Sequence, residues 1–257
     1  MNSTEFSAPV QKAVNFLKEA RQSVAITGAG ISTPSGIPDF RSQDSGLWRR
    51  FDPMAVASLS TFRYQPERFF EWVRPLLASM LDAQPNPAHI ALAQLESAGF
   101  LAGVVTQNID DLHHRAGSKT VFEVHGHLRR ATCTQCYRSY STEGHIEAFA
   151  EKGEIPRCDD CGGILKPDIV LFGEQLPVGI VSAAQELIDR SDLILIAGSS
   201  LEVTPAASMP VRSLNRGARL IIVNKDTTYL DERADVVIHK DVVDVLPLLA
   251  DQLVNSD

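Results

Sequence analysis

Val24-Ala-Ile-Thr27 runs straight into Gly28-Ala-Gly-Ile-Ser-Thr-Pro-Ser-Gly-Ile-Pro-Asp-Phe-Arg41. The first four residues read as a short buried strand. Glycines directly after a strand let the backbone approach a pyrophosphate, and successive N–H groups form an anion nest. A lone Gly-x-Gly is weak evidence by itself. Here Thr33 stands where the third glycine of hydride-transferring dinucleotide enzymes would be, and Pro34, Gly36 and Pro38 prevent immediate entry into a long helix. No acidic residue closes a second strand at the usual distance. An ordinary dehydrogenase is therefore disfavoured.

Outward from this loop, apolar periodicity alternates between strand and helix, the mark of an α/β fold. Val10, Val14, Leu17 and Ala20 repeat at helical spacing. Asn86-Pro87 reads as an N-cap and first helical residue, opening a helix through Ala98. Strands are expected at 101–105, 121–124, 193–197, 220–223 and 236–238, and a closing helix at 242–253. Leu193–Ala197 and Leu220–Val223 are nearly continuous apolar runs, as parallel strands buried on both faces require. Small and polar residues follow each strand: Gly28–Gly30, Thr106–Asp110, His125-Gly126, Gly198–Ser200, Asn224 and Asp241. Each alone is ordinary turn chemistry. Six together, at the strand ends where open α/β sheets bind ligands, form a nucleotide crevice. His125 is singled out among the seven histidines by its strand-end place, with His127 the second candidate.

Composition narrows the class. The chain has 257 residues, 44% hydrophobic and 22% charged, which suits a globular protein with a sizeable core. A net charge of −8 gives no bulk attraction to nucleic acid, so none is expected as a direct partner. No run of about 18 apolar residues exists, so no membrane association is expected. Met1–Pro9 lacks a basic, apolar leader pattern, and a cytoplasmic location is expected.

All four cysteines fall in two hooks, Cys133-x₂-Cys136 and Cys158-x₂-Cys161, separated by 21 residues. Such hooks can hold Zn²⁺ with four thiolates. Two disulfides are the competing reading, disfavoured in a cytosolic chain. Four thiolates fill a tetrahedral shell, leaving no position for water or substrate, so the metal would be structural. Residues 128–167 around the hooks are polar and Gly-rich and read as a small inserted module; 42–65 is irregular. Arg129, Arg130 and Arg138 near the first hook raise the alternative of a nucleic-acid-gripping ribbon, but a solvated basic face suits an acidic chain better.

Taken together, the residues resemble the sirtuin family. The 28–41 stretch, Thr106-Gln-Asn-Ile-Asp110, His125-Gly126 and both hooks carry the resemblance. Lys166-Pro-Asp-Ile-Val-Leu-Phe-Gly-Glu174, Gly198-Ser-Ser-Leu-Glu-Val203 and Val223-Asn224 extend it over about 8 to 250. Leu171 and Lys166 depart from it, where an aromatic residue and Arg are usual.

The resemblance implies a Rossmann-like parallel-sheet NAD-binding domain (1–41, 86–127 and 168–257), a cofactor loop and helical lobe (42–85), and a smaller inserted zinc-binding module (128–167). It implies NAD-dependent deacylation of acyl-lysine proteins or peptides, giving nicotinamide and O-acyl-ADP-ribose. Asn108, Ile109 and Asp110 would hold the nicotinamide carboxamide, and His125 would be the base. Ala29, Thr33, Phe40, Arg41 and Gln107 would line the co-substrate, with Ser199, Ser200 and Asn224 on phosphate and ribose and Asp241 and Val242 at the adenine end. Val170, Phe172, Gly173 and Val203 would meet the substrate peptide. Family members that favour acidic acyl groups carry a Tyr-x-x-Arg pair where Val73 and Leu76 stand here, with Arg74 beside them. Two other functions compete: a protein mono-ADP-ribosyltransferase sharing the first half-reaction, and a zinc-ribbon binding module with a vestigial nucleotide site.

Overall fold

The computed structural model describes residues 3–40 and 46–254. Its strands are β1 Ser23–Thr27, β2 Val104–Thr106, β3 Val121–Glu123, β4 Gly126–Cys133, β5 Ser139–Ser141, β6 Leu165–Ile169, β7 Leu193–Ala197, β8 Arg219–Val223 and β9 Val236–Ile238. Six form a parallel sheet in the order β3-β2-β1-β7-β8-β9. The order reverses between β1 and β7, so the carboxyl ends of these two strands flank a topological switch point.

Successive side chains of a strand face opposite sides. Ala25, Leu195, Ile221 and Val223 meet the helices Ser3–Glu19, Pro87–Ser97 and Val242–Val254 through Leu17, Leu92, Leu95, Leu246 and Leu249. Val24, Ile26, Ile194, Ile196 and Ile222 face the other way, onto Ile188 of the helix Val178–Arg190 and onto Leu201 and Met209. The sheet is thus covered on both faces, as its apolar strands demand. Asn86 caps Pro87–Ser97 through Ala88 N (2.9 Å) and His89 N (3.4 Å). The strand expected at 101–105 starts later, at Val104. Gly99 ends the preceding helix in the left-handed region (φ 83°), and Leu101 packs into the core from the exit turn rather than from a strand.

β5, β4 and β6 form a separate antiparallel sheet, which begins at Gly126 and ends at Ile169, two residues beyond each expected border of the module. A helix, His145–Lys152, follows β5. The module docks on the helix Pro66–Asp82: the rings of Phe70 and Phe149 meet edge to face at 5.2 Å. Arg74 on that helix donates to the carbonyls of Ala150 (2.9 Å) and Glu151 (2.6 Å), satisfying acceptors left open at a helix C-terminus.

At the switch point, Gly198 has φ 60°, and a Cβ there would lie 2.3 Å from Ile31 N. Both the conformation and the contact exclude a larger residue. Gly198→Ala is expected to destabilise the protein by about 1–3 kcal/mol or more, read as a lower midpoint in urea unfolding.

Candidate active site

A cavity of about 930 Å³ opens at the switch point. The first wall is the turn after β1. Gly28, Ala29 and Gly30 enter it in a short 3₁₀ turn, with Ile31 N donating to Gly28 O (3.1 Å). A Cβ on Gly28 would meet Ser199 Oγ at 2.9 Å, and one on Gly30 would meet Gly198 O at 2.9 Å. The sequence therefore brings two backbone turns into direct contact below a space lined by peptide groups.

The second wall follows β2. Asn108 is buried; its Nδ2 donates to Gly28 O (3.1 Å) and Ser32 Oγ (3.0 Å). Ser32 Oγ donates in turn to Asp110 Oδ2 (2.6 Å), and Leu112 N donates to Asp110 Oδ1 (3.0 Å). Burial pushes the Asp110 carboxyl up, against the lowering effect of these two donors; the charges of Asp111 and Glu123 push the same way as burial. Gln107 Nε2 donates to Ser199 Oγ (3.1 Å), closing the wall onto the turn after β7.

His125 sits between β3 and β4, in the cavity wall. Its Nδ1 lies 3.1 Å from Gln107 O. A carbonyl only accepts, so Nδ1 carries the proton and Nε2 the lone pair. Burial lowers the His125 pKa from 6.5, partly offset by that hydrogen bond, so the neutral base form is favoured. His127, the second candidate, lies in β4 and is not among the cavity residues; its buried Nδ1 has no partner.

The cavity gathers most of the expected residues: Ala29, Phe40, Gln107, Asn108, Ile109, Asp110, His125, Ser199, Ser200 and Asn224, with Val170, Phe172, Gly173 and Val203 toward the 170s loop. Three expected co-substrate residues stand outside its wall. Thr33 Oγ1 donates to Gly30 O (3.1 Å) and so braces the loop. Asp241 is held by Lys225 Nζ (2.7 Å) and by Val243 N (3.2 Å). The Val242 side chain is buried in the core. Arg41 lies outside the described residues.

The wall also contains residues without an expected role: Ser32, Ile37, Trp72, Met80, Asp226 and Thr227. Phe69, Val73, Leu76 and Met80 show the spacing of one helical face, which reveals amphipathicity but not which cavity the face closes. Leu171 is buried against Phe69, Phe70 and Val73 and also touches the cavity. Lys166 is paired with Glu174 (3.0 Å), whose carboxylate accepts from Leu171 N (2.8 Å), bracing the 170s loop.

Away from the cavity, the four cysteine Sγ atoms lie within 4.8 Å of one another. The closest pairs, Cys133–Cys161 and Cys136–Cys158, are 3.4 and 3.6 Å apart. A disulfide needs about 2.05 Å. A tetrahedral Zn²⁺ with Zn–S near 2.3 Å puts sulfurs about 3.8 Å apart, so the arrangement fits zinc.

Residues 28–205 match the Sir2 family. That span is more than half of the chain. The chain belongs to the Sir2 family. An NAD-dependent protein deacetylase of Sulfolobus acidocaldarius is 46% identical over 238 residues, covering 92% of each chain. A solved Sir2 with deacetylated p53 peptide and 3'-O-acetyl ADP ribose superposes with TM-score 0.89 at 40% identity, over 95% of this chain and 98% of that one. A Sir2–p53 peptide–NAD⁺ structure gives 0.87 at 39%, over 96% and 99%. No helix among the described residues of this Sir2 protein is long and apolar enough to cross a membrane.

In this Sir2 chain the thiolate site joins β4 to the segment before β6, so the metal closes the module on itself. Chelation of zinc, or Cys133→Ala, is expected to lower the melting temperature and the activity in parallel, measured by calorimetry and turnover on one sample. Metal-free protein with normal stability would refute a structural role.

Proposed function

We propose that this chain is an NAD⁺-dependent protein-lysine deacetylase, moving the acyl group of acyl-lysine onto ADP-ribose and releasing nicotinamide and O-acetyl-ADP-ribose. The observation that carries the reading is His125, a half-buried imidazole whose Nδ1 faces Gln107 O and whose pKa burial lowers, sharing one cavity with Asn108, Ile109 and Asp110.

The turn Gly28–Gly30 supplies backbone N–H groups for the pyrophosphate, with Ser199, Ser200 and Asn224 opposite. Arg41 is assigned to phosphate, where a planar guanidinium fits well. Asn108 and Asp110, fixed through Ser32, orient the carboxamide of nicotinamide while Ile109 packs beside it. Phe40 covers the reacting ribose face. Asn224, Asp226 and Thr227 line the adenosine end, with Asp241 and Val242 beyond them. Cleavage leaves an electrophilic ribose carbon, which the weakly nucleophilic acyl oxygen attacks because the cleft holds the two together. His125 Nε2 then takes a proton from a ribose hydroxyl, which attacks the former carbonyl carbon; the lysine amine leaves and water hydrolyses the remaining adduct, giving free lysine and O-acetyl-ADP-ribose. Val170, Phe172 and Gly173 on one side and Val203 on the other receive the peptide backbone as an added strand. Reduced thiols and the acidic surface suit a cytoplasmic setting without direct nucleic-acid binding.

Product analysis from NAD⁺ and an acetylated peptide tests the reading. O-acetyl-ADP-ribose with free lysine supports it; an ADP-ribosylated protein without deacetylation supports a transferase instead.

His125→Ala is expected to remove at least about 10²-fold of the deacetylation rate while the protein stays folded. In the wild type the acid limb of the rate profile is expected below pH 6.5, because the His125 pKa is lowered and the base form survives as pH falls through that value. An acid limb above 6.5 would exclude His125 as the group seen.

Acyl choice follows from the helix Pro66–Asp82. Val73 and Leu76 are buried in the cavity wall, and no described lining residue is Lys or Arg. Arg74 is turned onto Ala150 and Glu151 of the zinc module. A succinyl carboxylate would enter without a partner, a cost of several kcal/mol. An acetyl-lysine peptide is expected to show kcat/KM at least about tenfold above its succinyl counterpart. Equal values would place another cation in the pocket.

A further inference from the structure

Asp111, His114 and Glu123 bring ligand-type atoms within 4.8 Å of one another, a geometry able to hold a cation. The chain supplies that cation itself. Arg129, in β4, donates through Nη1 to the Asp111 carboxylate and to Glu123 Oε1 (2.9 Å), and through Nη2 to Glu123 Oε2. His114 Nε2 stands 3.8 Å from Glu123 Oε2. Glu123 is only 8% exposed, so its pairing is enforced by burial.

What this guanidinium joins is informative. Asp111 directly follows Asp110 and holds a left-handed backbone (φ 65°), so its carboxylate leaves the turn at a defined angle toward Arg129. Glu123 ends β3, two residues before His125. Arg129 belongs to neither segment, coming from the first strand of the zinc module. A planar fork can reach two carboxylates at once, which a lysine ammonium cannot do with the same geometry.

We propose that Arg129 is a positioning residue, which sets the Asn108–Asp110 loop and His125 in register with each other by bridging Asp111 to Glu123. It touches no substrate. The inference rests on the deacetylase reading. In that reading the two segments serve successive steps: Asp110 the release of nicotinamide, His125 the forward chemistry. Loosening one against the other therefore changes how the reaction divides between returning to NAD⁺ and going forward. A misplacement of about 1 Å can cost on the order of 10²-fold in rate.

The test measures two rates in one sample of full-length protein: exchange of labelled nicotinamide into NAD⁺, and deacetylation of an acetylated peptide. Their ratio does not depend on how much enzyme is folded. Arg129→Met and Arg129→Lys are each expected to shift the ratio toward exchange by at least about threefold, with the peptide KM changed less, because Arg129 bonds no residue assigned to the peptide. Arg129→Met also orphans the buried Glu123 carboxylate, so E123Q/R129M is the second variant; it is expected to regain stability yet keep the altered ratio. An unchanged ratio in both, or full restoration by the double variant, overturns the proposal and leaves Arg129 a purely structural ion pair. Wild-type enzyme that neither exchanges nor deacetylates would instead refute the parent reading.

Discussion

Everything at the cleft depends on how closely two backbone turns approach at the switch point. Gly28 and Gly30 after β1 sit against Gly198 and Ser199 after β7, at separations where any Cβ would collide. β1 and β7 are also the central neighbours of the sheet, paired over five registers from Ser23–Leu193 to Thr27–Ala197. The contact is thus made by the most buried strands and cannot relax without breaking the core. Because Gly28, Gly30 and Gly198 carry no side chains, peptide groups and the Ser199 hydroxyl form the cavity floor, a surface suited to a pyrophosphate. Gln107 and Asn108 then tie the third turn to the first two through Ser199 and Gly28.

Much of this was legible in the sequence, because the signals are covalent and local. Apolar runs bounded by glycines fix parallel strands, and the strand ends name the crevice. The cysteine hooks point to their metal by spacing, once a reducing setting disfavours disulfides. Tertiary geometry was less legible. Val242 follows a strand end in sequence, and the structure adds that its side chain turns inward to the core. Asp241 has the chemistry of a ligand-binding acid, and the structure adds its pairing with Lys225 and Val243 N, which the sequence does not display. Leu101 has a strand's composition and a turn's conformation. Where the deciding partners are set by the tertiary fold, one sequence does not display them.

The helix Pro66–Asp82 shows why the acyl wall was the hardest part to place. Its periodic apolar face is ambiguous, since one helix here serves three environments. Phe70 and Phe149 join it to the zinc module, Val73 and Leu76 face the cavity, and Phe62 packs behind Phe69. Arg74 resolves the ambiguity once its partners are known. Its guanidinium caps the helix His145–Lys152, which fixes the rotation of its own helix and so the rows presented to the cavity.

That arrangement gives the zinc module a mechanical part to play without any chemistry at the metal. Four thiolates leave the ion no open position for a substrate oxygen. The module nevertheless borders the site twice: through Arg74 it meets the acyl-side helix, and through Arg129 it meets the segments bearing Asp110 and His125. β4 begins at Gly126, where a Cβ would lie 2.1 Å from Asp168 O, so the first strand of the module is pinned one residue after His125. Val170 N donates to His125 O (2.8 Å), passing the same constraint into the 170s loop. A small domain with little core of its own needs the metal to hold such contacts in fixed geometry, because unpinned strands of this length are only marginally stable. The segments that the tetrathiolate joins are thus tied to the cavity wall through backbone and guanidinium contacts.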